Sequence, residues 1–316
     1  MPCATVHLLL AERVLADWRA RPGAAPVAID APGVHEAFLH GALAPDVGFV
    51  AGTDRLISEV AHYVRPGDLV RDLVDSASTP RDTAFAWGWA THVLGDVQIH
   101  PIVGRAVGER LFGDRTRRVD ALEDTATHVS LEVGLDIALL RASPPAVQAP
   151  ARPFLRDAAG ASHLAGALER THAFAWERQQ LVRDHRLAVR QIRWWPRLLS
   201  HLPLAPAGGS GRASGGRVVG RPIALLGRAI SQSGSAEHGF FRPEAPREWF
   251  LREVRERIDA FAESFREWAD RGMLEPRNPN LETGEPAGVG QGHPASDIAA
   301  ARLAELRGRT VSGAPG

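Results

Sequence analysis

One stretch, Ser78–Pro101 (STPRDTAFAWGWATHVLGDVQIHP), constrains this 316-residue chain more than any other, because His92, Asp96 and His100 follow one another at intervals of four. On a helix, positions four apart differ by about 40° and positions eight apart by about 80°, so the three groups share one face. The start is well marked: Thr79 can cap, Pro80 suits the first helical position and Asp82 favours the positive end of the helix. Pro101 disfavours helical geometry at His100, so the helix is expected to end there and leave His100 free to turn towards a second metal. A single His–Asp pair at this spacing is ordinarily a surface pair. Here Phe85, Trp87, Trp89, Val93, Leu94, Val97 and Ile99 leave little of the helix polar, and a helix apolar nearly all round is buried. Buried imidazole and carboxylate groups need partners, and a metal ion satisfies several at once.

The rest of the chain supplies elements around this helix. Thr5 is placed to cap a first helix over about residues 6–20, with Leu8, Leu9, Val14, Leu15 and Trp18 on its apolar face and His7 in its first turn. After a proline- and glycine-rich loop, HEAFLHGALAPDVGF reads as a short helix or turn ending at Pro45-Asp46, and 54–64 as a helix carrying His62 near its end. A helical pattern over about 118–140 sets His128 and Glu132 four apart on one face, repeating the spacing of the first pair. Residues 142–152 are proline-rich, and 161–195 read as one or two long helices with Trp176, Trp194 and Trp195 among many arginines. Such an Arg-Trp stretch fits either packing against the first half, the favoured reading, or peripheral contact with a lipid interface. A Gly/Ser/Arg-rich loop over 206–220 reads as mobile. Residues 246–272 form an amphipathic helix with Trp249, Phe250, Val254, Ile258, Phe261, Phe265 and Trp268 on one side. Beyond Glu275, proline and glycine increase and order is expected to fade apart from a short helix near 296–306. Alternating strand patterns are scarce, so the fold expected is all-α, with residues 1–272 as one helical domain and 273–316 as a largely disordered tail.

Composition narrows the function classes. Basic and acidic residues balance at 37 each, which leaves no bulk field favouring nucleic acid or an anionic membrane. All the basic residues are arginine, read as a compositional bias rather than a phosphate-binding design. The single cysteine, Cys3, excludes an intrachain disulfide. The N-terminal MPCATVHLLLAERVLADW has no basic leader, and no apolar run approaches the ~18 residues that span a bilayer. A cytoplasmic protein without a transmembrane segment is expected.

Taken in order, the metal-competent candidates are His7, Asp46, His62, His92, Asp96, His100, His128 and Glu132. With FLHGALAPD (38–46), His62, AFAWGWATHVLGDVQIHP (84–101) and the His128/Glu132 pair, the chain resembles the zinc-dependent phospholipase C family over roughly residues 3–140. The resemblance implies an all-helical bundle, shared with single-strand nucleases, around a trinuclear zinc cluster. It implies a first zinc on Asp46, His62, His92 and Asp96, a second on His100, His128 and Glu132, and a third on His7 with Asp96 bridging. It also makes Asp46 the candidate for assisting the attacking water. The His-x-x-x-Asp-x-x-x-His-Pro form resembles the family's bacterial, cytoplasmic members. Where secreted members offer a processed N-terminal tryptophan to the third zinc, this chain has Met1-Pro2, so that site is expected to be weaker or differently completed.

The function implied is hydrolysis of a phosphodiester by zinc-activated water, with two or three Zn2+ per chain and a phospholipid as the family's substrate. A nuclease on the same scaffold would need aromatic base-stacking platforms, for which only Trp87 and Trp89 lie near the ligands in sequence, and these read as core. A non-catalytic protein with structural zinc would show no open coordination position. The other histidines, His35, His40, His163, His172, His185, His201, His238 and His293, read as structural or exposed, with His40 the nearest to the site.

Overall fold

The fold is organised by a single rod, helix α5 (Pro80–Phe112), whose 33 residues run about 50 Å. In the computed structural model the described residues are 4–142, 158–194, 199, 201–207, 242–272, 278–285 and 299–306. Met1, Pro2, Cys3, the proline-rich 143–157, Trp195, residues 208–220 of the Gly/Ser/Arg loop, His238 and His293 lie outside them. Around α5 stand α1 (Ala4–Ala20), α2 (Val34–Leu43), α3 (Arg55–Tyr63), α4 (Pro66–Asp75), α6 (Thr125–Ala142), α7 (Ala158–His172), α8 (Arg178–Ile192) and α9 (Glu248–Asp270). No strand forms among the described residues; Ala205 and Glu244 make an isolated bridge. The all-α expectation holds.

The N-terminus of α5 is capped as its sequence foretells. The Thr79 side chain accepts from the Asp82 amide and the Asp82 carboxylate accepts from the Thr79 amide, both at 3.1 Å, closing a capping box. The C-terminus is not where Pro101 places it. The helix runs through Pro101 and ends at Phe112, before Gly113 in the left-handed conformation. Proline removes one ladder hydrogen bond and leaves the Val97 carbonyl without its intrahelical donor, a local loss that the buried residues on either side outweigh. Gly284 fits against that carbonyl: its φ is +72°, and a Cβ there would stand 2.8 Å from the Val97 oxygen.

Helices α2 and α5 touch backbone to backbone. A Cβ on Gly41 would lie 2.1 Å from the Phe85 carbonyl oxygen, and one on Gly88 would lie 2.0 Å from that of Phe38, so neither position has room for a methyl group. On the other side, α9 packs against α1 and α5, burying all seven apolar residues of its predicted face. Each such large side chain contributes roughly 1.5–3 kcal/mol of burial.

Other elements differ from expectation as well. Thr5 sits inside α1 rather than before it. Helix α6 begins at Thr125, not near 118, because Asp114 and Asp120 capture backbone amides of Thr116, Leu122 and Glu123 and hold that segment in turns. Within the tail expected to lose order, residues 278–285 pack on α5, whereas 299–306 are helical as the 296–306 pattern foretells; 286–298 and 307–316 lie outside the described residues. Helix α4, which carries no site residue, was not foreseen. The tryptophans of the Arg-Trp stretch divide: Trp176 is buried, whereas Trp194 is 60% exposed.

Candidate metal centre

Every side chain predicted for the site converges around the middle of α5. His7 comes from α1, Asp46 from the 3-10 turn Ala44–Phe49, His62 from α3, His92, Asp96 and His100 from α5, and His128 and Glu132 from α6. The 3-10 turn is fixed on α3 by a 2.7 Å hydrogen bond from the Gly48 amide to the Ser58 hydroxyl, which brings Asp46 to His62. The close α2–α5 seam does the same for His92, whose Nδ1 reaches the Ala42 carbonyl at 2.9 Å.

Three groups of three residues offer ligand atoms within 4.8 Å of one another: His7, His92 and Asp96; Asp46, His62 and His92; and His100, His128 and Glu132. Asp96 links them. Its Oδ1 is 3.3 Å from His7 Nε2 and 3.6 Å from His100 Nε2, while its Oδ2 is 3.4 Å from His62 Nε2 and 3.2 Å from His92 Nε2. Asp46 Oδ1 stands 3.3 Å from His62 Nε2, and Glu132 Oε1 stands 3.1 Å from His128 Nε2. The His7 and His92 rings stack with centroids 3.9 Å apart.

The protonation pattern tests whether a metal fits. His62, His92 and His100 each direct Nδ1 at a backbone carbonyl: Ser58 at 2.8 Å, Ala42 at 2.9 Å and Leu281 at 3.0 Å. A carbonyl only accepts, so each Nδ1 carries a proton and each neutral ring has a bare lone pair on Nε2. Yet His62 Nε2 and His92 Nε2 face one another at 3.1 Å, with a carboxylate on either side. Lone pairs and anions at such separations repel unless a cation lies among them. The donor set, imidazole nitrogen with carboxylate oxygen, suits zinc.

In the ion-free chain, protons fill that role. Burial pushes the Asp96 carboxyl up, but His100 and His92 outweigh it and hold the group well below the usual carboxylate range. Burial pushes the Asp46 carboxyl up as well, and His92 and His62 bring it down to about 2. Burial pushes His100 down, whereas Asp96, Glu282 and Glu132 together raise it to about 10. Anions held ionised among cationic imidazoles form a set in which divalent ions can displace protons.

Other predicted positions fall elsewhere. His40, expected nearest the site, instead pairs through Nε2 with His185 Nδ1 at 2.9 Å, and burial lowers its pKa to about 3. His35 pairs with Glu12, and His163 bonds the Leu73 carbonyl. Trp89 is fully buried and Trp87 packs on Trp18 and Phe265, so both belong to the core. Two buried acids beside the proposed ligands escaped the sequence reading. Asp136 lies one turn beyond Glu132 on α6, and its register on the His128/Glu132 face was the signal available; burial and the Glu132 charge push its carboxyl up to about 8. Glu282 lies in a short Pro- and Gly-rich run, where no periodicity marks it.

Fold and site together define a class: an all-α protein built round a buried, polynuclear His/Asp/Glu centre. The particular family follows from sequence comparison, in which the zinc-dependent phospholipase C profile matches residues 6–183, beyond Leu140 and into α8. The chain belongs to the zinc-dependent phospholipase C family. No curated protein and no solved structure matches it. The family is zinc-dependent, and the three buried clusters could hold zinc ions. No helix among the described residues is long and apolar enough to cross a membrane.

Proposed function

We propose that the protein hydrolyses phosphodiesters of the phospholipid type, releasing a phosphorylated head group, with His7, Asp46, His62, His92, Asp96, His100, His128 and Glu132 as its zinc ligands. The observation that carries this reading is the division of Asp96: one carboxylate oxygen turns to His7 and His100 and the other to His62 and His92, the arrangement of a bridging ligand. Bound zinc supplies Lewis acidity towards phosphoryl oxygens and a water activated near neutral pH. The chain's own groups do the rest. His100, His128 and Glu132 offer three donors to the second ion, which would leave a position for water or substrate, unlike a closed structural site. The carbonyls of Ser58, Ala42 and Leu281 fix three rings with Nε2 inward, so no reorientation is needed when substrate arrives. Asp46 is ionised at neutral pH with its pKa near 2, which suits it to accept a hydrogen bond from the attacking water and aim it. So low a proton affinity makes it a poor final proton acceptor.

The nuclease alternative needs exposed aromatic platforms beside the ions, and Trp87 and Trp89 serve the core instead. Zinc per chain, measured together with hydrolysis of a phosphatidyl substrate and a nucleotide diester, tests the reading. Two or three zincs with lipid cleavage are expected. A metal-free protein inert on both substrates would overturn the reading, and a preference for the nucleotide would move the function to the nuclease class.

A further inference from the structure

Outside the family-matched residues, one segment reaches the metal centre. Residues 278–285 form a tight turn: the Asn280 amide donates to the Glu285 carbonyl at 2.9 Å, the Gly284 amide to the Asn280 carbonyl at 2.8 Å, and the Glu282 amide to the Asn280 side chain at 2.9 Å. Asn278 clamps the turn to α4, donating to Asp68 Oδ2 at 3.0 Å and accepting from the Asp68 amide at 3.0 Å. Gly284 seats on the Val97 carbonyl that Pro101 leaves without its helical donor. The irregularity at Pro101 is therefore where the turn docks, one residue from His100.

Docking there brings two groups to the outer nitrogen of His100. The Leu281 carbonyl accepts from Nδ1 at 3.0 Å, and Glu282 Oε1 lies 3.7 Å from the same atom. Tyr63 Oη donates to Glu282 Oε1 at 3.4 Å, and Oε2 is buried without a hydrogen-bond partner among the described residues. Glu282 itself is buried, and its only ion-pair partner among the described residues is His100. Arg118, the nearby cation, bonds the Thr283 carbonyl and pairs with Glu285 instead. A buried carboxylate so poorly paired is strongly disfavoured unless positive charge stands close by.

We propose that Glu282 is a positioning residue of the metal centre: while the Leu281 carbonyl takes the Nδ1 proton, the Glu282 carboxylate beside it favours the ring orientation in which Nε2 presents its lone pair to the ion shared with His128 and Glu132. A carboxylate on the far side of a ligand imidazole fixes its orientation and makes the inner nitrogen a stronger donor. Bound zinc would take over the positive charge that the protonated His100 ring presents to Glu282 in its absence. A ring that serves the second ion is thus steadied by a part of the chain that the family profile does not cover. The inference rests on the zinc reading above.

The test uses full-length protein and the variants Glu282→Gln and Asn278→Ala, each titrated with zinc against a chelating dye and, separately, loaded with cobalt(II). Glu282→Gln should weaken one ion by about 10–100-fold, leave the others unchanged and shift the cobalt absorption of that ion alone. Asn278→Ala, which unclamps the turn without touching a ligand, should weaken the same ion by less, and it decides the matter if Glu282→Gln does not fold. Wild-type zinc affinities and cobalt spectra in the folded variants would overturn the proposal while leaving the zinc reading standing. A wild-type protein that takes up no metal would overturn both.

Discussion

Asp96 and Glu132 both face His100 Nε2 from 3.6 Å, but only Asp96 has its second oxygen turned to a different pair of histidines. Neutralising Asp96 therefore leaves neighbouring cations facing one another with less charge between them, whereas neutralising Glu132 affects one ion. Asp96→Asn is expected to lose at least two ions per chain and essentially all hydrolysis; Glu132→Gln should lose one. Elemental analysis of both purified variants checks this, and equal losses would argue against the bridge.

Chelation should lower the melting temperature. Ions bound only by the folded chain stabilise it by mass action, about 2.7 kcal/mol for each independent site when free zinc is 100-fold above its dissociation constant. Thermal scans with and without chelator, followed by zinc add-back, measure the effect. Unchanged melting would remove the metal from the stability argument altogether.

Buried histidines inside and outside the centre shape the acid limb of the metal-free protein, His7 being lowered by burial as well. Burial lowers His40 to about 3, and burial with the His40 charge lowers His185 well below its ordinary 6.5. Both stay neutral in the folded chain, while the unfolded chain protonates them below about pH 6.5. Their stabilisation is complete above that pH and is lost as pH falls, by about 1.4 kcal/mol per pH unit for each histidine. His100, raised to about 10, adds no slope there, since folded and unfolded forms are both protonated below 6.5, whereas Asp136, raised to about 8, is protonated only in the folded chain in that window and offsets about one histidine's share of the fall. Denaturant titrations between pH 6.5 and 4.5 should show this fall, and His40→Gln should make it shallower by about one histidine's worth.

Gly88→Ala should destabilise the protein by about 1–3 kcal/mol or more, because the new methyl would meet the Phe38 carbonyl oxygen at 2.0 Å. Parting α2 from α5 would also carry the Ala42 carbonyl and Asp46 away from His92. Zinc loss is expected alongside the lower melting temperature. Loss of stability with full zinc retention would show that the seam does not position the site.

Five of the eight converging side chains were legible from helical spacing, His92, Asp96 and His100, then His128 and Glu132, each following the four-residue interval, whereas His7, Asp46 and His62 were drawn in by the family resemblance. The capping of α5 and the buried face of α9 were legible for the same reason. The continuation of α5 past Pro101 was not, since the local preference against helix gives way to burial of Ile102, Val103, Ala106 and Val107. His40 misled because its proximity to FLHGALAPD in sequence says nothing of which side of α2 it occupies; it faces His185, more than a hundred residues on. Glu282 reaches the centre only through the docking of a turn, and no periodic pattern encodes such a contact.

On the proposed assignment the ligands run from position 7 to position 132, gathered from α1, a 3-10 turn, α3, α5 and α6, in a chain whose single cysteine allows it no internal disulfide. Each ion is then a removable cross-link, closing loops tens of residues long, and the entropy of closing such loops grows only slowly with their length. Distant helices can therefore be tied together at little extra expense, but only after they have met. On that assignment the ions would lock an assembly that packing has to find first, and a chelator would unfasten the first half of the molecule.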